Sequence, residues 1–284
     1  MSQLKQRRLG RTGLMVAELG LGAMDTPQSS EGAATLHAAL DAGINFIDSA
    51  REYQGSEYLL GQVIRDRGNT GAATDVIVTT KTFSHTADGS QRDVDRSLSV
   101  LGLDRIPLYQ LHDISTPEAW AQVRDEEDGA LAGLKVAQYR GLIDFIGVSS
   151  HNTALLPELI TSGEFDAVML EYSAYFTETA PLITLAAAHD VGVIVMRPLG
   201  GSGRTSIMRG ATADGYDGPL TASNLLRYVF SNPGVSVAIP GARYPSRIHE
   251  NVATASGYEP MSLDERRMLE DEAARYYFGA PGDA

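Results

Sequence analysis

Residues 44–57 read Ile44-Asn45-Phe46-Ile47-Asp48-Ser49-Ala50-Arg51-Glu52-Tyr53-Gln54-Gly55-Ser56-Glu57. Four mostly apolar residues suit a buried strand, predicted over 44–47. The chain turns polar at Asp48, forms a loop that carries Tyr53, and enters a helix near Ser56. A short apolar strand followed by a turn and a helix is half of a βαβ unit. The same unit recurs on both sides.

Upstream, residues 4–20 form two short segments around Gly10-Arg11-Thr12-Gly13, read as a small hairpin that runs into a first strand near Val16–Leu21. Residues 30–42 have helical spacing and end at Gly43, a natural position for a left-handed helix terminus. Downstream, strands are predicted at 76–80, 106–111, 143–148, 167–170, 193–196 and 235–239. Helices are predicted at 56–66, 94–101, 117–139, 155–160, 180–189, 222–230, 245–254 and 262–276. Ser262 and Glu265 have capping-box spacing.

Short, continuously apolar strands separated by helices imply a parallel sheet buried on both faces. Eight such units, with no second zone of composition, predict one (β/α)8 TIM barrel over residues 1–284, preceded by a β-hairpin. An open doubly wound sheet is the alternative. It calls for Gly-x-Gly-x-x-Gly after the first strand, and Gly20-Leu21-Gly22-Ala23-Met24 supplies only the first two glycines.

The 284 residues suit such a barrel, which commonly has about 250. Hydrophobic residues make up 43% and charged residues 21%, ordinary for a globular chain. The net charge of −13 and the lack of a basic patch argue against nucleic acid as a partner. There is no cysteine, so neither disulfide nor thiolate chemistry is available. No apolar run approaches the roughly 20 residues of a membrane helix, and none follows the N-terminal charges as in a signal peptide. A cytoplasmic location without membrane partners is the expectation. Oligomeric state is not legible.

Barrel active sites lie where strands end. Asp48 ends the second strand, with Tyr53 in its loop. Lys81 ends the third and His112 the fourth. Neighbouring strands lie about 4.8 Å apart, so these groups can converge. A buried lysine needs a partner, and Asp48 can supply it. An ammonium beside a phenol is expected to lower the tyrosine pKa, readying Tyr53 as a general acid. His112 can then donate to the same substrate oxygen. Each residue also has a plain structural reading: a turn cap for Asp48, a solvated loop phenol for Tyr53, a snorkelling Lys81, a satisfied core His112. Nucleophilic catalysis is less well supported, since no thiol or Ser–His–acid order is present. A metal-assisted hydrolase or isomerase using Asp48, His112 and Asp113 is a weaker alternative, and no metal site is expected.

Asp48-Ser-Ala-Arg-Glu-Tyr53, Gly55-Ser56-Glu57, Thr80-Lys81 and Leu108-Tyr109-Gln110-Leu111-His112 together resemble the aldo-keto reductase superfamily, in a bacterial branch. Arg8-Leu9-Gly10-Arg11-Thr12-Gly13, Leu19-Gly20-Leu21-Gly22, Ile146-Gly147-Val148-Ser149 and Ala238-Ile239-Pro240-Gly241-Ala242 carry the same resemblance, which runs from about residue 7 to 254. It implies an NADPH-dependent oxidoreductase, with NAD as a second cofactor, that reduces an aldehyde or ketone through the tetrad Asp48, Tyr53, Lys81 and His112.

The resemblance also assigns cofactor contacts. Ser149 and Ser150 would hold the nicotinamide amide. Met196 would sit where many relatives stack an aromatic residue on the nicotinamide, and Arg197 after it would contact the cofactor. Leu199, Gly201 and Gly203 would line the pyrophosphate loop, which taken alone is a plain flexible connection. Gly241, Arg243 and Arg247 would meet the phosphates, with Arg247 at the adenosine 2′-phosphate. Glu250 and Asn251 would contact adenine. Met24 would line the substrate pocket for a small carbonyl or sugar. The chain departs from the common pattern at Met169, where many relatives have Gln, and at Gly241-Ala242, where many have Lys-Ser. An NAD(P)-linked sugar or alcohol dehydrogenase and a nicotinamide-sensing subunit remain as rivals.

Overall fold

The computed structural model describes residues 4–68, 76–200 and 216–277. Gln6–Arg8 (β1) and Met15–Ala17 (β2) pair antiparallel as a hairpin. Eight further strands form one parallel sheet: Leu21–Gly22 (β3), Phe46–Asp48 (β4), Ile77–Thr82 (β5), Ile106–Leu111 (β6), Ile143–Ser149 (β7), Ala167–Glu171 (β8), Gly192–Met196 (β9) and Val237–Ala238 (β10). They lie in sequence order, and parallel bridges Leu19↔Ala238 and Gly22↔Gly241 join the first strand to the last. The result is a nearly closed (β/α)8 barrel with helices between its strands, as the sequence pattern predicts.

Alternation along each strand builds the interior. Phe46, Ile77, Leu108, Ala167, Met169, Ile194 and Val237 pack together inside the barrel. Two residues further along the same strands stand Asp48, Thr79 and Gln110, still buried but polar. The interior therefore turns from apolar to polar toward the strand C-termini. Leu9 and Val16 of the hairpin join the apolar layer and close the opposite end.

Several boundaries differ from the sequence reading. The predicted first strand at 16–21 is divided: residues 15–17 pair with β1, and the barrel strand is only Leu21–Gly22. The Asn45 side chain accepts the Ala17 N–H and donates to the Met15 carbonyl, which takes this stretch out of the parallel sheet. The eighth barrel strand is only Val237–Ala238, and just before it the Ser236 hydroxyl accepts the Val193 N–H at 3.3 Å. The long helix predicted at 117–139 is two, Pro117–Val123 and Ala130–Tyr139. Asp125 breaks it by accepting the N–H groups of Glu127 and Asp128 on Oδ1, a local bond that competes with the helix.

The third helix starts earlier than predicted, at Ala87–Leu101, capped by Thr86 on the Gly89 N–H. Its polar first turns hid it. Gly43 and Gly102 end their helices with φ of 88° and 69°, the conformation that glycine adopts without a Cβ clash.

Candidate active site

Three consecutive strand ends converge at the polar mouth of the barrel. The Lys81 ammonium is fully buried and donates to Asp48 Oδ2 at 2.6 Å, to the Ser49 carbonyl at 2.7 Å and to the Tyr53 hydroxyl at 3.3 Å. All three of its N–H bonds are thereby engaged. Asp48 Oδ1 accepts from Gln110 Nε2 at 3.4 Å. The Gln110 amide is in turn held by Thr79 Oγ1 at 2.8 Å. Burial raises the Asp48 pKa and lowers that of Lys81, and the attraction between them offsets both shifts in part.

The loop that carries Tyr53 is tied to β5. The Arg51 N–H donates to the Lys81 carbonyl at 3.1 Å. The Arg51 guanidinium pairs with Glu57 at 2.6 Å, and Glu57 accepts from Thr80 at 2.7 Å. Helix Ser56–Asp66 thus starts from a fixed point, with Ser56 donating to the Ala23 carbonyl at 3.2 Å. Tyr53 is placed by its neighbours rather than by its own contacts alone.

The expected direction of the Tyr53 pKa is corrected. Burial pushes the phenol up, and the charges of Asp48 and Glu52 push it further; Arg197 opposes them. Lys81 is paired with Asp48, and the Asp48 carboxylate next to it disfavours phenolate. Tyr53 is a protonated phenol, which suits a donor rather than a base.

His112 joins this group at the end of β6. Its ring meets the Tyr53 ring edge-on, with centroids 5.5 Å apart, and stacks on Phe83 at 4.0 Å. Its Nδ1 lies 3.3 Å from Glu52 Oε2. Met24 and Phe83 are 68% and 44% exposed, so apolar surface flanks the phenol and imidazole. Glu52 and Phe83 escaped the sequence reading. A polar residue in a polar loop and an aromatic just past a strand give no periodic signal.

The other half of the mouth holds the residues expected to meet a cofactor. Ser149 and Ser150 are buried; Ser149 Oγ accepts the Asp113 N–H at 2.9 Å, and Ser150 Oγ the Asn152 N–H at 3.1 Å. Met196 ends β9, followed by Arg197 at φ 52°, a strained conformation for a non-glycine residue. Arg197 and His151 both contact Glu171 Oε1, at 2.9 and 2.8 Å, a cluster the sequence did not suggest. Leu199 is half-buried on the same side. Gly201 and Gly203 lie outside the described residues.

Beyond β10, helix Pro245–Gly257 begins with Pro245 and no side-chain cap, and the Arg247 N–H of its first turn donates to the Tyr244 carbonyl at 3.1 Å. Gly241 precedes it, bridged to Gly22. Arg243 and Arg247 are 62% and 61% exposed there, against Asp25 at 3.7 Å and Glu250 at 2.7 Å. Arg247 and Glu250, expected to meet different parts of a nucleotide, are paired with each other. Asn251 is buried in the same helix. Two exposed guanidiniums at an uncapped helix start are a donor set that fits a phosphate-bearing cofactor.

No helix among the described residues is long and apolar enough to cross a membrane. Two surface grooves, one beside Trp120, Lys135 and Glu158 and one beside Asp264 and Arg267, lie on the outer helices away from this mouth.

A barrel whose mouth carries a buried Asp–Lys pair, a phenol and an imidazole defines a class, and comparison with known proteins agrees with it. Residues 18–215 match the model of the aldo/keto reductase family, and the chain belongs to that family of oxidoreductases. L-galactose dehydrogenase of Arabidopsis thaliana is 28% identical over 306 residues, covering 96% of this chain and 95% of its own length. The solved structure of PA4992 from Pseudomonas aeruginosa matches with a TM-score of 0.73 at 30% identity, covering 90% of this chain and 97% of that one. AKR2E4 of Bombyx mori, solved in complex with NADP, has the same fold, with a TM-score of 0.72 at 24% identity and coverage of 95% and 93%.

Proposed function

We propose that the protein is an NADPH-dependent reductase of aldehydes or ketones, with Tyr53 as the proton donor. The observation that carries this reading is the convergence of Lys81, Asp48 and Tyr53 at adjoining strand ends, with His112 against the Tyr53 ring. A reduced nicotinamide, when bound, supplies the hydride; the protein supplies geometry and protons. The Tyr53 hydroxyl donates to the carbonyl oxygen as negative charge grows there. Lys81 holds the phenol from behind and stabilises the phenolate left after transfer. Asp48 keeps Lys81 charged and in place. His112 orients the substrate oxygen. Ser149, Ser150, Met196 and Arg197 would hold the nicotinamide end, Leu199 with Gly201 and Gly203 the pyrophosphate, and Gly241, Arg243, Arg247, Glu250 and Asn251 the adenosine end.

The NADP complex of the Bombyx mori relative supports the choice of nicotinamide cofactor. The likeness to an L-galactose dehydrogenase favours a second reading, oxidation of a sugar or alcohol with NAD(P), on the same residues. A panel of aldehydes, ketones and aldoses, assayed with NADPH, NADH and both oxidised forms, separates the two. The proposal expects the fastest turnover with NADPH on an aldehyde or ketone. Turnover only with an oxidised cofactor supports the second reading, and none with any combination overturns both. Arg247→Ala should weaken NADPH by about fivefold, since the site is exposed, and NADH hardly at all. Equal losses in a fluorescence titration remove Arg247 from the 2′-phosphate.

A further inference from the structure

Glu52 stands directly before Tyr53, and the mechanism above does not use it. Its carboxylate links two other strand ends. Oε1 accepts the Phe83 N–H at 3.3 Å, and Oε2 faces His112 Nδ1 at 3.3 Å. Burial lifts the Glu52 carboxyl, but hydrogen bonds from His112 and the Phe83 N–H outweigh it, and the group is held below the usual glutamate range. It is a carboxylate at neutral pH.

The His112 ring is clamped around this contact. Phe83 covers one face at an interplanar angle of 15°, and Tyr53 meets the ring at 83°. The side chain is 13% exposed. Among the described residues Nε2 has no hydrogen-bond partner, so it is the polar atom of the ring left for a substrate.

A carboxylate only accepts hydrogen bonds, so Nδ1 opposite Glu52 carries a hydrogen. A neutral imidazole bears one hydrogen, and Nε2 then presents a lone pair. We infer that Glu52 is a positioning residue that fixes His112 in the Nδ1–H tautomer, so that Nε2 donates to a substrate oxygen only in the imidazolium. The inference rests on the reading that His112 faces the substrate.

The consequence is a protonation requirement. A carbonyl oxygen, itself an acceptor, meets a lone pair when the ring is neutral and an N–H when it is charged. An alcohol can donate to the neutral ring. The charged and titratable groups around the ring are Glu52 and Tyr53 from the loop after β4, Asp48 and Lys81 behind the phenol, and Arg197 and Asp25 acting on Tyr53 across the mouth. Carbonyl reduction should therefore decline as rising pH takes the second proton from the ring.

The test uses the whole protein with ¹⁵N-labelled histidine, the His112 signals assigned by their loss in His112→Asn. With the ring neutral at alkaline pH, the wild type should show a protonated Nδ1 and a bare Nε2. Glu52→Ala, and Glu52→Gln as the isosteric control, should move population to the Nε2–H form. In parallel, kcat/KM for carbonyl reduction in the wild type should fall by about tenfold per pH unit above its midpoint. In Glu52→Ala that decline should flatten, with cofactor binding unchanged. An Nε2–H ring in the wild type, or a tautomer unmoved in both variants, overturns the inference. So does an unchanged pH profile in Glu52→Ala. The spectroscopic result stands apart from turnover: if Tyr53→Phe keeps full activity, the proposed mechanism falls while the tautomer is still decided.

Discussion

Lys81 shows how much one residue decides here. It sits in the barrel interior with Asp48 as its only charged contact within hydrogen-bond reach among the described residues. Removing one member of such a pair strands the other, whereas removing both leaves nothing to desolvate. Lys81→Met should cost about 3–5 kcal/mol in chemical denaturation. Lys81→Met combined with Asp48→Asn should recover much of that loss without activity. A double variant no more stable than Lys81→Met removes the ion pair as the cause. The tetrad was legible because its members stand at predictable strand ends. The direction of the Tyr53 pKa was not, because it depends on depth of burial and on the carboxylates of Asp48 and Glu52 that the fold brings beside it. Glu52 was not either, since its meaning comes from His112, which the fold alone brings near.

At the scale of elements, the final helix Leu263–Tyr277 begins with a reciprocal cap. The Ser262 N–H donates to Glu265 Oε2 at 2.7 Å, and the Glu265 N–H to Ser262 Oγ at 3.2 Å. The Ser262 N–H, followed by the Ser262 hydroxyl and Arg227, holds the Glu265 carboxyl below the usual glutamate range. A carboxyl depressed in the folded state adds stability above its unfolded pKa, and that stability is lost as pH falls through the folded value. Glu265→Gln should therefore lower Tm at neutral pH, with the difference from wild type vanishing in acid below the carboxylate range. A difference that persists there would mean that side-chain shape, not charge, makes the cap. This cap was plain in the sequence, as Ser and Glu three residues apart before a helical pattern. The break at 124–129 was not: Asp125 turns its own backbone, and an acidic stretch between two helices reads as one solvated face.

For the whole molecule, eight βα units were legible as a repeated pattern, but the closure of the barrel was not. The two strands at the seam have two residues each, and bridges beyond them complete the contact. A Cβ on Gly22 would lie 2.9 Å from the Ile239 carbonyl oxygen, so the seam is closed by backbones in close approach. Such proximity carries no apolar signature. The hairpin has a comparable role at the other end, where fully buried Leu9 fills the barrel floor. Leu9→Ala should cost about 2–5 kcal/mol by leaving a cavity. Below its melting temperature it should leave turnover intact, because the floor lies at the end opposite the strand C-termini. A variant of native stability would show that the hairpin is dispensable to the core, and lost turnover in a folded variant would show that the two ends are coupled.

The central claim is that Tyr53 delivers the proton. Its most direct test is Tyr53→Phe, assayed for carbonyl reduction with NADPH alongside a cofactor fluorescence titration. The predicted result is a fall in kcat of about 10²- to 10⁴-fold with NADPH affinity nearly unchanged. Turnover close to the wild type, with cofactor bound as before, would contradict it.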